Sequence, residues 1–366
     1  MKLTKFGTLG AIVAVGALAL TGCATNEGGS TTPTSAPTDG AGSSLSGTIA
    51  GAGASSMGAA QESWIAAFQT ANEAVTISYD PSGSGAGREA FIGGGVAFAG
   101  TDSALSDDEI AGGFAGCVDD SFIQVPAFID PIAVVFNIPG VDELKLDAAT
   151  LASIFKGDIT SWDDPAITAQ NAGAALSGAI TAVHRSDDSG TTKNFTDYLN
   201  KNAGDIWTEK AADPFPYATG TGAQGTSGVI EAVNAAAGSI GYAAASRAGD
   251  LGIAQIKVGD EYVAFSNEAA AAVVEGSPAA DNASATNLAI KLNRTTTNPA
   301  EYPLVLVSYL IACGEYQDPA VAPIAKAYVA YVTSAEGQEV AASTGAAPLS
   351  ATQVAAIQSV VATIVE

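Results

Sequence analysis

The sequence predicts an α/β protein with a largely parallel sheet in each folded unit. Three observations carry that expectation. From Ser46 onward, short β-type runs alternate with Ala-rich helical stretches. The chain is long and apolar enough to bury a core, with 366 residues of which 47% are hydrophobic. Gly- and Ser-rich turns recur where a β-type run gives way to a helix start. Residues 75–79, 132–136 and 179–183 read as strands, and 65–70, 151–155, 192–199, 229–237 and 324–333 as helices.

Before the first of these elements, Lys2 and Lys5 precede an apolar run from Phe6 to Leu20, then Thr21, Gly22 and Cys23. The pattern is that of an export signal spanning residues 1–22. The run is short for a transmembrane helix, which needs about 20 apolar residues. Leu20-Thr21-Gly22-Cys23 looks like a bacterial lipobox, with Cys23 lipidated and made the new N-terminus; the plainer alternative is an ordinary signal with a chance cysteine. Residues 25–44 are almost entirely Thr, Ser, Gly, Pro, Ala and Asn, which cannot bury a core. Residues 23–45 therefore read as a lipidated terminus and flexible tether, with a reach of roughly 25 Å. The only membrane contact expected is that anchor, at the outer face of the cytoplasmic membrane.

Charge and residue counts exclude several classes. Fourteen Lys and Arg stand against 38 Asp and Glu, a formal charge of −24 that becomes −26 once Lys2 and Lys5 are removed. No basic run offers a face to nucleic acid. One histidine, His184, and three cysteines are too few for a His/Cys metal centre, haem or an iron–sulfur cluster, so no metal and no cofactor is expected. With Cys23 lipidated, Cys117 and Cys313 remain in an exported chain, either as a disulfide or as two buried thiols.

The informative pattern occurs three times: Gly51-Ala-Gly-Ala-Ser55-Ser56-Met57, Ser82-Gly-Ser84-Gly-Ala-Gly87-Arg88, and Ser186-Asp187-Asp-Ser189-Gly190-Thr191-Thr192. A helix N-terminus offers unpaired N–H groups and a partial positive charge, and Gly and Ser let an anion approach closely. Three such ends converging would cradle a tetrahedral oxyanion; each alone is simply a good helix cap or turn. Gly220-Thr-Gly222-Ala-Gln-Gly225 matches the dinucleotide fingerprint but opens no clear βαβ unit, and reads as a surface loop. There is neither a P-loop nor a Gly-x-Ser-x-Gly elbow.

Together with Thr101-Asp102-Ser-Ala-Leu-Ser106, these loops resemble the phosphate-binding protein family of bacterial high-affinity ABC phosphate transporters. The resemblance runs from about Leu45 to Leu349. It takes in Phe98-Ala-Gly-Thr-Asp102, Asn137-Ile-Pro-Gly140, Ile154-Phe-Lys-Gly-Asp-Ile-Thr-Ser-Trp162, Arg185-Ser-Asp187 and Gly238-Ser-Ile-Gly241-Tyr242. The resemblance implies a two-lobed periplasmic-binding-protein fold of type II, with two hinge crossings. Lobe I would comprise residues 46–126 plus 303–366 and lobe II residues 127–302. It implies a monomer that holds inorganic phosphate in the cleft and delivers it to an ABC permease. Ser55, Ser56, Ser84 and Asp102 would contribute from the first lobe and Arg185, Ser189, Gly190 and Thr191 from the second. The family often has an aromatic residue where Ser56 stands, so that position is expected to serve through its backbone N–H.

The residue types suit the task. Arg185 can give two parallel hydrogen bonds to an oxyanion, with Asp187 placed to hold the guanidinium. Asp102 would repel an anion unless the ligand brings a proton. Hydrogen phosphate and dihydrogen phosphate have one to give and sulfate does not. Rival readings are another oxyanion on the same fold, a surface phosphate sensor or adhesin, and a phosphatase or esterase built on His184 with a serine and Asp187 or Asp188. No catalytic residue is expected, because adjacent strand residues face opposite ways and His184 would point away from a cleft that Arg185 faces.

Overall fold

The computed structural model describes residues 45–366; the leader, Cys23 and the tether lie outside the described residues. The chain opens with β1 (Gly47–Gly53), α1 (Gly58–Ala71), β2 (Val75–Asp80), α2 (Ser84–Ile92), β3 (Phe98–Thr101) and α3 (Asp107–Ala111). A long strand, β4 (Phe122–Asn137), leads to β5 (Lys145–Leu146), α4 (Ala148–Lys156), α5 (Pro165–Thr168), β6 (Thr181–Arg185) and α6 (Gly190–Asn202). Next come β7 (Thr221–Ala223), α7 (Gly225–Ala235), β8 (Ser239–Ala244), β9 (Gly252–Ile253), β10 (Gln255–Val258), β11 (Glu261–Val263) and α8 (Asn267–Glu275). The chain ends with β12 (Val305–Cys313), α9 (Ala322–Val332), α10 (Ala335–Ser343) and α11 (Ala351–Val361).

The main sheet runs β2-β1-β3-β12-β4-β8-β6-β7. Its outer strands pair in parallel, β2 and β3 on β1 at one end, β7 and β8 on β6 at the other. The middle is antiparallel: β12 lies between β3 and β4, and β4 pairs with β8. Parallel neighbours need helical crossovers, which explains the β-to-helix alternation.

Two large cores flank the middle strands. Trp64, Phe98, Phe128 and Tyr328 anchor the first; Trp162, Phe195, Trp207 and Tyr242 anchor the second. β4 enters both, with Val125 and Phe128 in the first and Ile132 and Phe136 in the second. β12 does the same in reverse, with Leu304 and Leu306 around its start in the second core and Val307 and Leu310 in the first. Helix α8 gives Ala270, Val273 and Val274 to the first core. These two strands are the crossings that a two-lobed periplasmic-binding-protein fold requires.

The sequence reading needs three corrections here. β4 extends from Phe122, not only from Ile132; Pro126 and Pro131, which cannot donate to a ladder, hide its first half from pattern reading. β12 is continuously apolar except for Ser308 and carries no alternation to mark it. Residues 220–225 are not a surface loop. Thr221–Ala223 pairs in parallel with β6, and Gly225 opens α7.

Cys117 and Cys313 are bonded, with Cα atoms 5.2 Å apart, tying the segment before β4 to the end of β12. Asp130, fully buried in β4 opposite Leu306, accepts from the backbone N–H of Ser246 at 3.3 Å and from its hydroxyl. Burial raises its carboxyl to about 7; the Ser246 bonds pull it down and the nearby Asp102 charge adds to the rise.

Candidate functional site

The cleft forms where the carboxyl ends of β1, β3 and β6 meet helix starts. After β1, Ser55–Met57 makes a single tight turn before α1. Gly87 lets α2 sit against β1, since a Cβ there would stand 2.3 Å from the Cα of Gly53. Ser84 therefore opens α2 beside the end of β3, where Asp102 follows Thr101. From the other side, Arg185 ends β6, and Ser189 caps α6 by accepting from the Thr192 N–H at 3.2 Å.

Asp102 is the convergence point. Its Oδ2 accepts from Ser56 at 2.7 Å and from Thr191 at 3.2 Å, and its Oδ1 accepts from Ser308 at 2.7 Å. Its backbone N–H donates to Ser84 Oγ at 3.1 Å, and its carbonyl accepts from Asn194 Nδ2 at 2.7 Å. Hydroxyls of Ser56, Thr191 and Ser308 thus fix the carboxylate, while Ser84 and Asn194 hold the backbone of the same residue. Burial raises its pKa; the Ser56 and Ser308 hydroxyls, the Arg185 charge and Thr191 oppose the rise. Ser56 engages Asp102 through its side chain, so a backbone-only role understates it.

Arg185 is almost fully buried and forked onto Asp187. Nε donates to Oδ1 at 2.7 Å and Nη2 donates to Oδ2. Asp187 Oδ1 also accepts from the Gly225 N–H at 2.9 Å. Burial opposes ionisation of Asp187, but the bonds and charge of Arg185 outweigh it and hold this carboxyl below its usual range. Neither bond uses Nη1, which keeps two N–H donors for an anion. The Arg185 backbone N–H donates to Tyr242 Oη at 3.2 Å, and Tyr242 meets Thr192 Oγ1 at 2.7 Å, fixing the end of β6 against β8 and α6.

Five of the eight expected site residues therefore lie in mutual contact, namely Ser56, Ser84, Asp102, Gly190 and Thr191, while Ser189 caps the helix that carries Thr191 and donates its N–H to the Asp213 carbonyl at 3.1 Å. A Cβ on Gly190 would meet Ser84 Oγ at 2.6 Å and Asp102 Cβ at 2.8 Å. Ser55 faces a different partner, accepting from the Thr226 N–H at 3.0 Å with its hydroxyl 3.1 Å from Thr226 Oγ1. Arg185 enters through charge and the Asp187 fork rather than by touching the serines.

Several residues escaped the sequence reading. α7 is a fourth helix start at the cleft, supplying Gly225 and Thr226. Ser308 is the one polar residue in an apolar strand, a signal once that strand is recognised. A further bridge spans the two sides: Arg88 donates to Asp213 at 2.6 Å, Glu109 at 2.7 Å, Ser103 at 2.7 Å and Thr101 at 3.0 Å, while Ser103 donates to Asp213 at 2.9 Å. Gly85 N–H donates to Asp188 O at 3.0 Å nearby. His184 stacks on Phe215 with ring centroids 4.0 Å apart, and its Nδ1 lies 2.8 Å from the Arg185 carbonyl.

Two cores joined by crossing strands, with a polar cleft of helix N-termini between them, define a periplasmic-binding protein, and the PBP superfamily domain matches residues 31–336. Phosphate-binding protein PstS 3 of Mycobacterium tuberculosis is 34% identical over 339 residues, covering 90% of each chain. PstS 2 of the same species is 31% identical over 360 residues, covering 95% of this chain and 96% of the relative. A solved high-affinity periplasmic phosphate-binding protein, with phosphate bound at pH 8.5, shares the fold at a TM-score of 0.70 and 22% identity, covering 86% of this chain and 93% of that one. This chain belongs to the PstS family of phosphate-binding proteins.

Proposed function

We propose that this protein captures inorganic phosphate in the cleft between its two cores and hands it to an ABC permease for import. The observation that carries the reading is Asp102, a buried carboxylate set among helix N-termini beside an arginine. Such a site suits an anion that also carries a proton. Among the described residues Oδ1 accepts only from Ser308, so it has acceptor capacity left for a P–O–H group. The unprotonated phosphate oxygens would take the Nη1 donors of Arg185, the hydroxyls of Ser55 and Ser84, and the N–H groups at the starts of α2 and α6 near Ser189, Gly190 and Thr191. The Arg185–Asp187 pair is internally neutral, so its fork supplies directed donors without demanding a net charge from the ligand.

In this reading the lobes are residues 46–126 plus 303–366 and residues 127–302, with α8 packed on the first. Cys23 would anchor the exported chain to the membrane, and residues 25–44 would let the lobes reach the permease. Among the described residues no helix is long and apolar enough to cross a membrane. Binding rather than catalysis is supported by His184, whose ring is taken up by Phe215 and the Arg185 carbonyl.

The test is calorimetric titration of the full-length protein in detergent, freed of bound anion, with phosphate and then sulfate. Phosphate is expected to bind one to one, with sulfate about 10⁴-fold weaker or undetectable, because sulfate leaves Asp102 facing lone pairs. Asp102→Asn should narrow that gap, and Arg185→Ala should abolish tight binding. Sulfate binding as well as phosphate in the natural protein would refute the role given to Asp102.

A further inference from the structure

Ser308 reaches Asp102 from β12, one of the two strands that cross between the cores, and it is fully buried there among apolar neighbours. The register explains how. Tyr309 pairs antiparallel with Thr101, the last residue of β3. One step further along, Ser308 falls opposite Asp102, and opposite residues of an antiparallel pair present their side chains on one face. On the other edge of β12 the pairing with β4 slips at the same step. Ser308 lies opposite Phe128 and Tyr309 opposite Pro126, so Ala127 is passed over. The carbonyl of that extra residue accepts from Gln338 Nε2 at 2.7 Å. A bulge re-aims a neighbouring side chain, and this one sits where Ser308 turns to the carboxylate.

The donors on Asp102 divide unevenly between its oxygens. A carboxylate offers about four lone-pair sites, two on each oxygen. Oδ2 has both filled, by Ser56 at 2.7 Å and Thr191 at 3.2 Å. Among the described residues Oδ1 has one, Ser308 at 2.7 Å. Ser308 therefore sets the rotation of the carboxylate and decides which lone pair stays open. It is also one of three hydroxyls that favour the charged form of a buried acid.

We propose that Ser308 is the positioning residue for anion selectivity: its hydroxyl turns Asp102 so that a ligand proton can land only on the remaining lone pair of Oδ1, and it keeps that oxygen an acceptor. The inference rests on Asp102 as acceptor of the phosphate proton. Without Ser308, Asp102 takes up a proton more readily, because it loses a bond made to its charged form. A protonated carboxyl is a donor, and sulfate, which has no proton to give, can accept from it. The other charged and titratable groups around Asp102 are the same in such a variant. They are Arg185 on β6, Asp130 on β4 and Tyr79 on β2. The cavity alongside adds the Asp197–Arg294 pair, Lys193, Lys201 and Lys291. Asp130 titrates in both proteins, so the variant is read against the natural protein at each pH.

The experiment is competition between phosphate and sulfate for the full-length protein in detergent, between about pH 5 and 8, in the natural protein, Ser308→Ala, Ser308→Thr and Asp102→Asn. In Ser308→Ala, sulfate should begin to compete about one to two pH units higher than in the natural protein. The preference for phosphate at about pH 6 should fall at least about tenfold. Ser308→Thr keeps the donor and should keep the preference. A purely structural hydroxyl would weaken both anions by the same factor, so an unchanged ratio in Ser308→Ala at every pH overturns the proposal, as does a threonine that selects no better than alanine. If Asp102→Asn narrows the preference and Ser308→Ala does not, this inference fails alone. If Asp102→Asn leaves the preference intact, the acceptor reading of Asp102 falls and takes this inference with it.

Discussion

Gly190 at the start of α6 lies so close to Ser84 at the start of α2 that a single methyl group would stand 2.6 Å from Ser84 Oγ. The two residues come from opposite sides of the cleft, so the missing side chain sets how far the cleft can close.

Gly190→Ala should therefore fold normally and bind phosphate poorly. Gly190 lies at a helix start where alanine is tolerated, but the new Cβ would also meet Asp102 Cβ at 2.8 Å and Ser103 N at 2.9 Å. Backbone and a buried carboxylate cannot yield as a flexible chain end can. A loss of at least about tenfold in affinity, with the melting temperature little changed, is the expected outcome of titration and calorimetry; unaltered affinity would show that the two sides need not meet here.

Asp213→Asn tests the bridge that Arg88 makes across the cleft. The amide keeps the shape and one acceptor but loses the charge that pairs with Arg88 and receives Ser103. Phosphate should bind about 5- to 30-fold more weakly, from a loss of roughly 1–2 kcal/mol, although the Asp213 side chain itself is not among the proposed ligand contacts. Small-angle scattering of the saturated variant should show a larger radius than the natural protein; identical curves and affinities would assign the bridge no part in closure.

Asp130 gives a pH dependence with a definite sign. Its folded pKa of about 7 lies above the ordinary carboxylate range, so the folded protein holds a proton that the unfolded chain releases. The stability that this proton confers is complete below about pH 4 and is lost as pH rises through about 7, by at most about 4 kcal/mol. Denaturant unfolding of the natural protein and Asp130→Asn should therefore show the variant gaining relative stability between about pH 4 and 7 and levelling off above. Parallel stability profiles would contradict the assignment.

Replacing Cys117 and Cys313 together by serine should lower stability by about 2–5 kcal/mol, the usual range for a long closed loop. Phosphate affinity should survive, since the bond lies in the first core away from the cleft. Thermal unfolding and titration of the double variant read both effects.

The fold was legible where local pattern and tertiary role coincide. Val75–Asp80 and Thr181–Arg185 were visible because each is a short β-type run followed by a small-residue turn. β12 was not, because a strand buried on both faces has no alternation, and its Ser308 was lost with it. Asp102 and Arg185 were legible through their motifs, yet the partners that tune them were not. Asn194 and Thr226 sit on helices far along the chain and become neighbours only when the two sides meet. The Gly220–Gly225 segment misled for the opposite reason: its motif suggested a cofactor loop, and discarding that reading also discarded the strand and helix start it encodes.

The insertion of β12 between β3 and β4 sets the order of assembly. A ribosome delivers β1 to β4 first, but the gap beside β3 stays open until synthesis has passed Cys313, and the helices that cover the same core follow later still. The second core, drawn mostly from the middle of the chain, can condense earlier. The nascent protein must carry an incomplete sheet edge for most of its synthesis, and its disulfide can form only as one of the last events.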